Sequence, residues 1–164
     1  MLTVKEVASR VGSVPAPRQE ISIPALLRGS RGAYGDAVRG RLAAAGFDDL
    51  PRNGPYVLGG MANRGATAGD LVRGLGVSKQ AASQLIDTLV LRGYLERRVN
   101  PDDRRRMTIE LTDRGEAAAA AVREGVEAVD DELARLLSGQ ELAGLVAGLQ
   151  ALCAIRERTE EEDA

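Results

Sequence analysis

The sequence predicts a mainly α-helical protein that carries one small β-hairpin. Between residues 24 and 155, apolar side chains recur mostly at three- and four-residue steps, which is the period of amphipathic helices. Between residues 94 and 111 the pattern changes to two short strands around a Pro-Asp-Asp turn, which favours a hairpin. The 164 residues suffice for one domain, and with 2% aromatic residues its core is expected to be aliphatic.

The composition argues against an enzyme. The chain has no histidine, which removes the usual zinc ligand and the commonest general base. No glycine-rich phosphate loop stands between a strand and a helix. We therefore expect no enzyme activity, no cofactor and no metal. Because there is one cysteine and no apolar run long enough to span a membrane, the expected compartment is the cytoplasm.

Residues 1–23 predict an N-terminal arm with a short helix. Thr3 and Glu6 have the spacing of a capping box, and Val4, Val7 and Val11 share one helical face. The alternative is that this segment echoes the first helix of a separate DNA-binding module.

A long helix is predicted over residues 24–46, with Pro24 at its first turn. Its glycines, which cost helix propensity, indicate either the close approach of another helix or a kink. A loop follows over 47–52 and a short helix over 55–62, in which the sequence offers no reason for the pair Gly59-Gly60. The buried stripe of the long helix is predicted at Leu27, Tyr34, Val38 and Leu42.

Residues 67–91 predict two short helices joined by a tight turn. Thr67 and Asp70 have capping-box spacing, Gly74 and Gly76 permit the turn, and Ser78 caps the second helix. The apolar sides are expected at Leu71, Leu75 and Val77, and then at Ala82, Leu85, Ile86, Leu89 and Val90. The opposite face of the second helix carries Lys79, Gln80, Ser83, Gln84 and Asp87. Such side chains can reach base edges and phosphates in a major groove.

Gly93 ends the second helix, and strands are predicted over 94–99 and 106–111. Arginines outnumber acidic residues six to three between residues 92 and 106, so the hairpin is basic. Two such helices followed by a hairpin form a winged helix-turn-helix, here over residues 55–112. The apolar side of the strands is expected at Leu95, Val99, Met107, Ile109 and Leu111.

Residues 113–155 predict two long helices that serve dimerisation together with helix 24–46. The first is capped by Thr112 or Asp113, and Ser138 with Glu141 forms a capping box for the second. Their apolar seams either pack only on each other or form an intertwined dimer interface, which we favour. Residues 156–164 predict a solvated, frayed acidic tail. The seams consist of Ala118, Val122, Val126, Val129, Leu133 and Leu136, and of Leu142, Leu145, Leu149 and Leu152.

Four segments in this order, residues 71–83, 89–97, 100–105 and 111–115, closely resemble MarR-type transcriptional regulators. They include Leu-x-x-Arg-Gly-Tyr-Leu-Glu-Arg at 89–97 and Asn-Pro-Asp-Asp-Arg-Arg at 100–105. The resemblance covers roughly residues 24–155. It implies a homodimer of winged-helix subunits on a pseudo-palindromic DNA operator, as a repressor that a small-molecule effector releases.

The resemblance also implies roles for single residues. Arg105 would enter the minor groove with Asp103 supporting the wing, although Asp103 could instead only cap the turn. Arg104 is a candidate phosphate contact, whereas Arg97 and Arg98 are expected to be solvated charges beside the strand. The residues implied in the major groove are Ser78, Lys79, Gln80, Ser83 and Gln84.

Many relatives bind small aromatic anions in a crevice between the dimer helices and the winged helix. Arg31, Tyr34, Arg41 and Tyr56 are candidates to line it here, or else are ordinary packing and surface residues. Cys153 is expected to be buried as a small hydrophobe without a redox function.

Two alternative functions remain at this point: a redox-responsive regulator acting through Cys153, and a winged-helix protein–protein adaptor. A steep salt dependence of DNA retention would separate a DNA-binding protein from an adaptor.

Overall fold

The structure is a computed structural model that describes residues 22–64, 67–99 and 107–162. The predicted N-terminal arm lies outside these residues except at its end, where Ile23 already begins the first helix. In chain order the described elements are α1 (Ile23–Ala44), α2 (Gly54–Arg64), α3 (Ala68–Gly74), α4 (Lys79–Leu91), β1 (Leu95–Val99), β2 (Met107–Leu111), α5 (Asp113–Leu136) and α6 (Gly139–Glu162). The predicted fold class, mainly α with one β-hairpin in a winged helix, is confirmed.

The chain divides into two compact units. One consists of residues 30–129 and contains α2 to β2 with the adjoining parts of α1 and α5; the other contains α6, the end of α5 and the start of α1. The first unit holds an aliphatic core in which Tyr94 is the largest fully buried side chain. The other fully buried large side chains are Val57, Leu58, Val72, Leu89 and Leu95.

The predicted helix ends are confirmed by local hydrogen bonds. The Asp70 amide donates to Thr67 Oγ1 at 3.2 Å, while the Thr67 amide donates back to the Asp70 carboxylate at 3.3 Å. Ser78 Oγ accepts from the Ala81 amide at 3.2 Å and so caps α4. Ser138 and Glu141 form the equivalent box before α6. At the start of α5 the cap is Thr112, whose hydroxyl accepts from the Gly115 amide at 3.0 Å.

Glycines allow close helix contacts, but not where the sequence predicted them. A Cβ atom placed at Gly29, Gly32 or Gly40 of α1 would meet nothing within 4 Å, so of the two predicted alternatives, a close approach or a kink, the close approach is not found within the described chain. The close approach comes instead from α5, where a Cβ at Gly125 would lie 2.7 Å from the Cα atom of Val38.

The pair Gly59-Gly60, unexplained by the sequence, has a similar role in α2. A Cβ at Gly59 would lie 3.2 Å from Val122 of α5, and one at Gly60 would lie 2.5 Å from Leu71 of α3. Consecutive glycines on one helix therefore face two different neighbours, because successive helical residues point about 100° apart.

Several apolar residues predicted to be buried are exposed in the described chain. Val99 and Met107 are opposite each other in the hairpin and are 54% and 55% exposed, because they stand at its outer end beyond the core. Leu27 near the start of α1 and Val77 in the turn before α4 are also exposed. Leu136, at the last position of α5, is 72% exposed, whereas Ala118 and Val122 near the start of that helix are buried.

Helix α6 departs most from expectation. Of its side chains that the structure describes, none is buried, and the predicted seam positions Leu145, Leu149 and Leu152 are 40–41% exposed. Cys153 is exposed among the residues that the structure describes, so the prediction of a buried thiol is wrong. The helix continues to Glu162, so most of the segment predicted as a frayed tail is helical. No helix among the described residues is long and apolar enough to cross a membrane.

Candidate nucleic-acid interface

Helix α4 has one buried and one exposed side. Leu89 is fully buried, while Leu85 and Ile86 are partly buried against the same core. The predicted polar residues on the other side, which are Ser78, Lys79, Gln80, Ser83 and Gln84, are all exposed. The structure thus brings the five sequence-predicted groove residues together on the first two turns of α4.

The amino-terminal end of α4 suits an anion. Backbone N–H groups of the first turn lack helical partners, and the aligned peptide dipoles leave partial positive charge there. Ser78 satisfies one of these groups, and Lys79 adds a full positive charge beside them. The same end of the helix therefore offers hydrogen-bond donors for bases and an electrostatic attraction for phosphate.

Two arginines on β1 are exposed, as expected, but are held in ion pairs. Arg97 on β1 pairs with Asp87 of α4 and so ties the helix to the strand. Arg98 contacts Glu96 at 2.7 Å and Glu110 across the hairpin at 3.3 Å. The hydrogen bond from Arg98 to Glu96 raises the pKa of the guanidinium, so this charge is retained at any relevant pH.

The remaining predicted contacts fall between β1 and β2 in the sequence. Asp103, Arg104 and Arg105 lie outside the described residues, and their roles stay predictions. The strands pair up to Val99 opposite Met107, so residues 100–106 connect these two ends.

A cluster that the sequence did not reveal stands where α4 passes into β1. The Tyr94 hydroxyl donates a hydrogen bond to the Asp49 carboxylate, which lies in the α1–α2 loop. Arg114, in the first turn of α5, contacts the same carboxylate at 2.8 Å, and its guanidinium carbon lies 4.4 Å from the centre of the Tyr94 ring. We call Asp49, Tyr94 and Arg114 the junction cluster. Its members are 45 and 20 residues apart in sequence, a distance at which no local spacing rule applies.

The charge states in the junction cluster follow from its contacts. The hydrogen bond from Tyr94, followed by the nearby charge of Arg114, holds the pKa of Asp49 below the usual range of an aspartate. Burial, followed by the hydrogen bond to Asp49, raises the pKa of Tyr94. At neutral pH the phenol is therefore a proton donor and the carboxylate an acceptor, as their hydrogen bond requires.

Comparison with known proteins relates this arrangement to a family. The sequence model of the MarR family matches residues 48–106, from the α1–α2 loop to the hairpin. This part of the chain is similar to MarR-family proteins. The HTH-type transcriptional regulator BilQ of Clostridioides difficile is 28% identical to it over 100 residues, which are 61% of this chain and 68% of BilQ.

Solved structures of MarR-family proteins share the fold. The S. aureus MepR–DNA complex aligns with a TM-score of 0.65 at 22% identity, over 82% of this chain and 98% of that chain. Wild-type MarR from E. coli, in its apo form, aligns with a TM-score of 0.56 at 25% identity, over 80% and 96% of the two chains.

One of the four predicted effector residues lines a cleft that the structure describes. A shallow cleft of about 460 Å³ lies between the end of α1 and the start of α5. Arg41 lines it, whereas Arg31, Tyr34 and Tyr56 do not. Its other lining residues are Ala44, Ala45, Phe47, Ala117, Ala120, Ala121 and Glu124.

Proposed function

We propose that this protein is a MarR-type transcriptional regulator that binds a pseudo-palindromic DNA operator as a homodimer, represses transcription there, and leaves the operator when a small-molecule effector binds. The observation that carries the proposal is the exposed donor face of α4, presented by a helix whose opposite side is buried in the core. A helix kept for stability alone gains nothing from placing lysine, glutamine and serine together at its amino-terminal end.

DNA binding by this face is supported by its geometry and by the similarity of the fold to that of a solved protein–DNA complex. An α-helix fits the major groove, where glutamine can bind adenine with two hydrogen bonds and lysine can bind guanine or phosphate. MepR, which has the same fold, has been solved as a complex with DNA. The net charge of −2 excludes general attraction to polyanions, so the basic hairpin and α4 must supply the local attraction.

The homodimer is supported by the exposed side of α6. Leu145, Leu149 and Leu152 recur at four- and three-residue steps and stay about 40% exposed, and no described side chain of α6 is buried. Within a single chain, α6 gains little stability because its apolar seam stays exposed. A second copy of the chain would bury this seam. Two copies related by a twofold axis would also present two α4 helices to the two halves of a palindrome.

The effector proposal rests on the cleft beside Arg41. Alanine side chains form much of its wall, and Phe47 contributes an aromatic ring. Arg41 and Glu124 place opposite charges on the lining. A small, flat aromatic compound with a carboxylate fits this chemistry, because arginine binds carboxylates in a bidentate geometry.

The central experiment is selection of bound duplexes from a random DNA pool, followed by affinity measurement over a range of salt concentrations. We expect an enriched palindromic sequence and a steep, linear fall of log affinity with log salt, as phosphate contacts require. Absence of any enriched sequence, together with retention that does not depend on salt, would instead favour the protein–protein adaptor.

The effector is tested by screening aromatic carboxylates for release of the selected duplex. Arg41→Ala should abolish release by an active compound while leaving DNA affinity intact. Arg39→Ala is the matched control, since Arg39 is an exposed arginine of the same helix that pairs with Asp36 and does not line the cleft. Equal release from both variants would contradict a site at the cleft.

A further inference from the structure

The junction cluster lies beside the chain reversal between α4 and β1. Without its contacts, α4 and the hairpin could rotate relative to the helices around them. Gly93 adopts a φ of +72° and lets the chain reverse between α4 and β1, and Tyr94 follows it directly. The Tyr94 amide donates to Leu89 at 2.9 Å, which fixes it to the end of α4. Its carbonyl accepts from the Thr112 amide at 3.1 Å, which fixes it to the start of α5.

The Tyr94 side chain adds a third connection. Its ring makes an edge-to-face contact with Phe47 at a centroid distance of 6.1 Å, and its hydroxyl reaches Asp49. Both partners belong to the loop that follows α1. The hydroxyl is also 3.1 Å from Arg114 of α5. One residue therefore connects α4 and β1 with the loop that follows α1 and with the start of α5.

The polar part of the cluster contributes more to geometry than to the free energy of unfolding. The side chains of Asp49 and Arg114 are 46% and 44% exposed, and an ion pair of that exposure usually contributes less than about 1 kcal/mol. The ring of Tyr94 could fill the core without its hydroxyl. What the hydroxyl, the carboxylate and the guanidinium add is a fixed angle between three separate segments.

A small change of that angle matters at the far end of α4. The helix has 13 residues and is about 20 Å long, so a rotation of about 5° at the junction moves its amino-terminal end by roughly 2 Å. That displacement is about half the rise of one base pair, which is about 3.4 Å. The amino-terminal end is the part that carries Lys79 and Gln80.

We infer that Asp49, Tyr94 and Arg114 are positioning residues, which fix the angle of α4 and the hairpin and thereby set the half-site spacing that the dimer accepts in its operator. The inference rests on the proposed function. None of the three needs to touch DNA, since they act through the position of α4.

The test uses the duplex selected by the unmodified protein and two derivatives with one base pair inserted or removed between the half-sites. Tyr94→Phe removes only the hydroxyl, and Asp49→Asn removes only the charge. Each should lower the preference for the native spacing about fivefold, the effect of one lost hydrogen bond. Asp36→Asn is the matched control, because Asp36 is an exposed carboxylate paired with an arginine outside the cluster, and it should keep the full preference.

A second measurement separates this inference from the proposed function. Amide hydrogen exchange at Tyr94 and Thr112 should accelerate in both variants, whether or not DNA is bound, while the urea midpoint changes little. If the protein selects a duplex but the variants keep the native spacing preference, the positioning role is wrong and the proposed function stands. If no duplex is selected, the proposed function fails, and unchanged exchange in the variants would then also overturn the cluster as a positioning device. Should Tyr94→Phe not fold, Asp49→Asn, altered at a half-exposed side chain, decides the result.

Discussion

Gln80 is the second residue of α4. Its exposed side chain has both an amide donor and a carbonyl acceptor. If it reads adenine in a bidentate manner, Gln80→Ala should relax base preference at one position of each half-site by about 1–3 kcal/mol. Gln84→Ala should act likewise at another position. The measurement is competition binding with every single-base variant of the selected duplex.

Gln140→Ala is the control for this substitution, because Gln140 is an exposed glutamine that belongs to α6 and not to α4. It should leave the base preference unchanged. Were Gln80→Ala and Gln84→Ala both to retain the native preference, the assignment of the α4 face to base recognition would be wrong.

Asp49 gives a prediction for acid stability. Since its pKa in the folded protein is depressed by Tyr94 and Arg114, its contribution to stability is present above the pKa of the unfolded chain. That contribution is lost as the pH falls through the lower folded value. In Asp49→Asn the free energy of unfolding should therefore fall less steeply in this acid window than in the unmodified protein.

Urea unfolding at a series of pH values measures this difference. Asp36→Asn, which removes an exposed carboxylate outside the junction cluster, should follow the unmodified protein. Parallel acid limbs for Asp49→Asn and the unmodified protein would show that Asp49 keeps an ordinary pKa in the folded state.

Among the elements, α1 and α5 are in contact at a glycine. A methyl group at Gly125 would lie 2.7 Å from Val38 Cα and 2.9 Å from its backbone nitrogen, and backbone atoms cannot move aside as a flexible side chain can. Gly125→Ala should therefore lower the free energy of unfolding by about 1–3 kcal/mol, in spite of the better helix propensity of alanine.

Gly40→Ala, on the facing helix, provides the comparison. The added methyl group would meet nothing within 4 Å. The substitution should therefore raise the free energy of unfolding by about 0.5–1 kcal/mol. Denaturant titration of both variants tests the pair, and a shift in the same direction for both would contradict the close approach at Gly125.

For the whole molecule, the exposed α6 seam leads to a prediction about assembly. Leu149→Asp would place an unpaired charge in the proposed interface, so it should dissociate or unfold the dimer. Ala151→Asp introduces the same charge roughly 200° around the helix, on the side away from the seam, and should leave the dimer intact. Sedimentation of both variants at low protein concentration gives the result.

A folded monomer of the unmodified protein under the same conditions would argue against the dimer. So would equal sedimentation of the two aspartate variants, because the seam would then have no special role in association.

Local features were predictable from the sequence because they depend on residues close together in the chain. The caps at Thr67, Ser78 and Ser138, the turn at Gly93 and the polar face of α4 all follow from spacings of a few residues. The order of these features also predicted a winged helix and its resemblance to the MarR family. The candidate groove residues were found for the same reason, since one helical period places them on one face.

Only the tertiary structure decided which residues meet across the chain. The junction cluster joins positions 45 and 20 residues apart, and Gly125 rather than the glycines of α1 marks the close helix contact. Periodicity shows that a helix has an apolar side, but not what covers it, which is why Cys153 and Leu149 are exposed although the pattern predicted burial. The physical reason is that burial and long-range hydrogen bonds depend on the approach of segments distant in sequence, whereas caps, turns and helical faces are properties of the local chain.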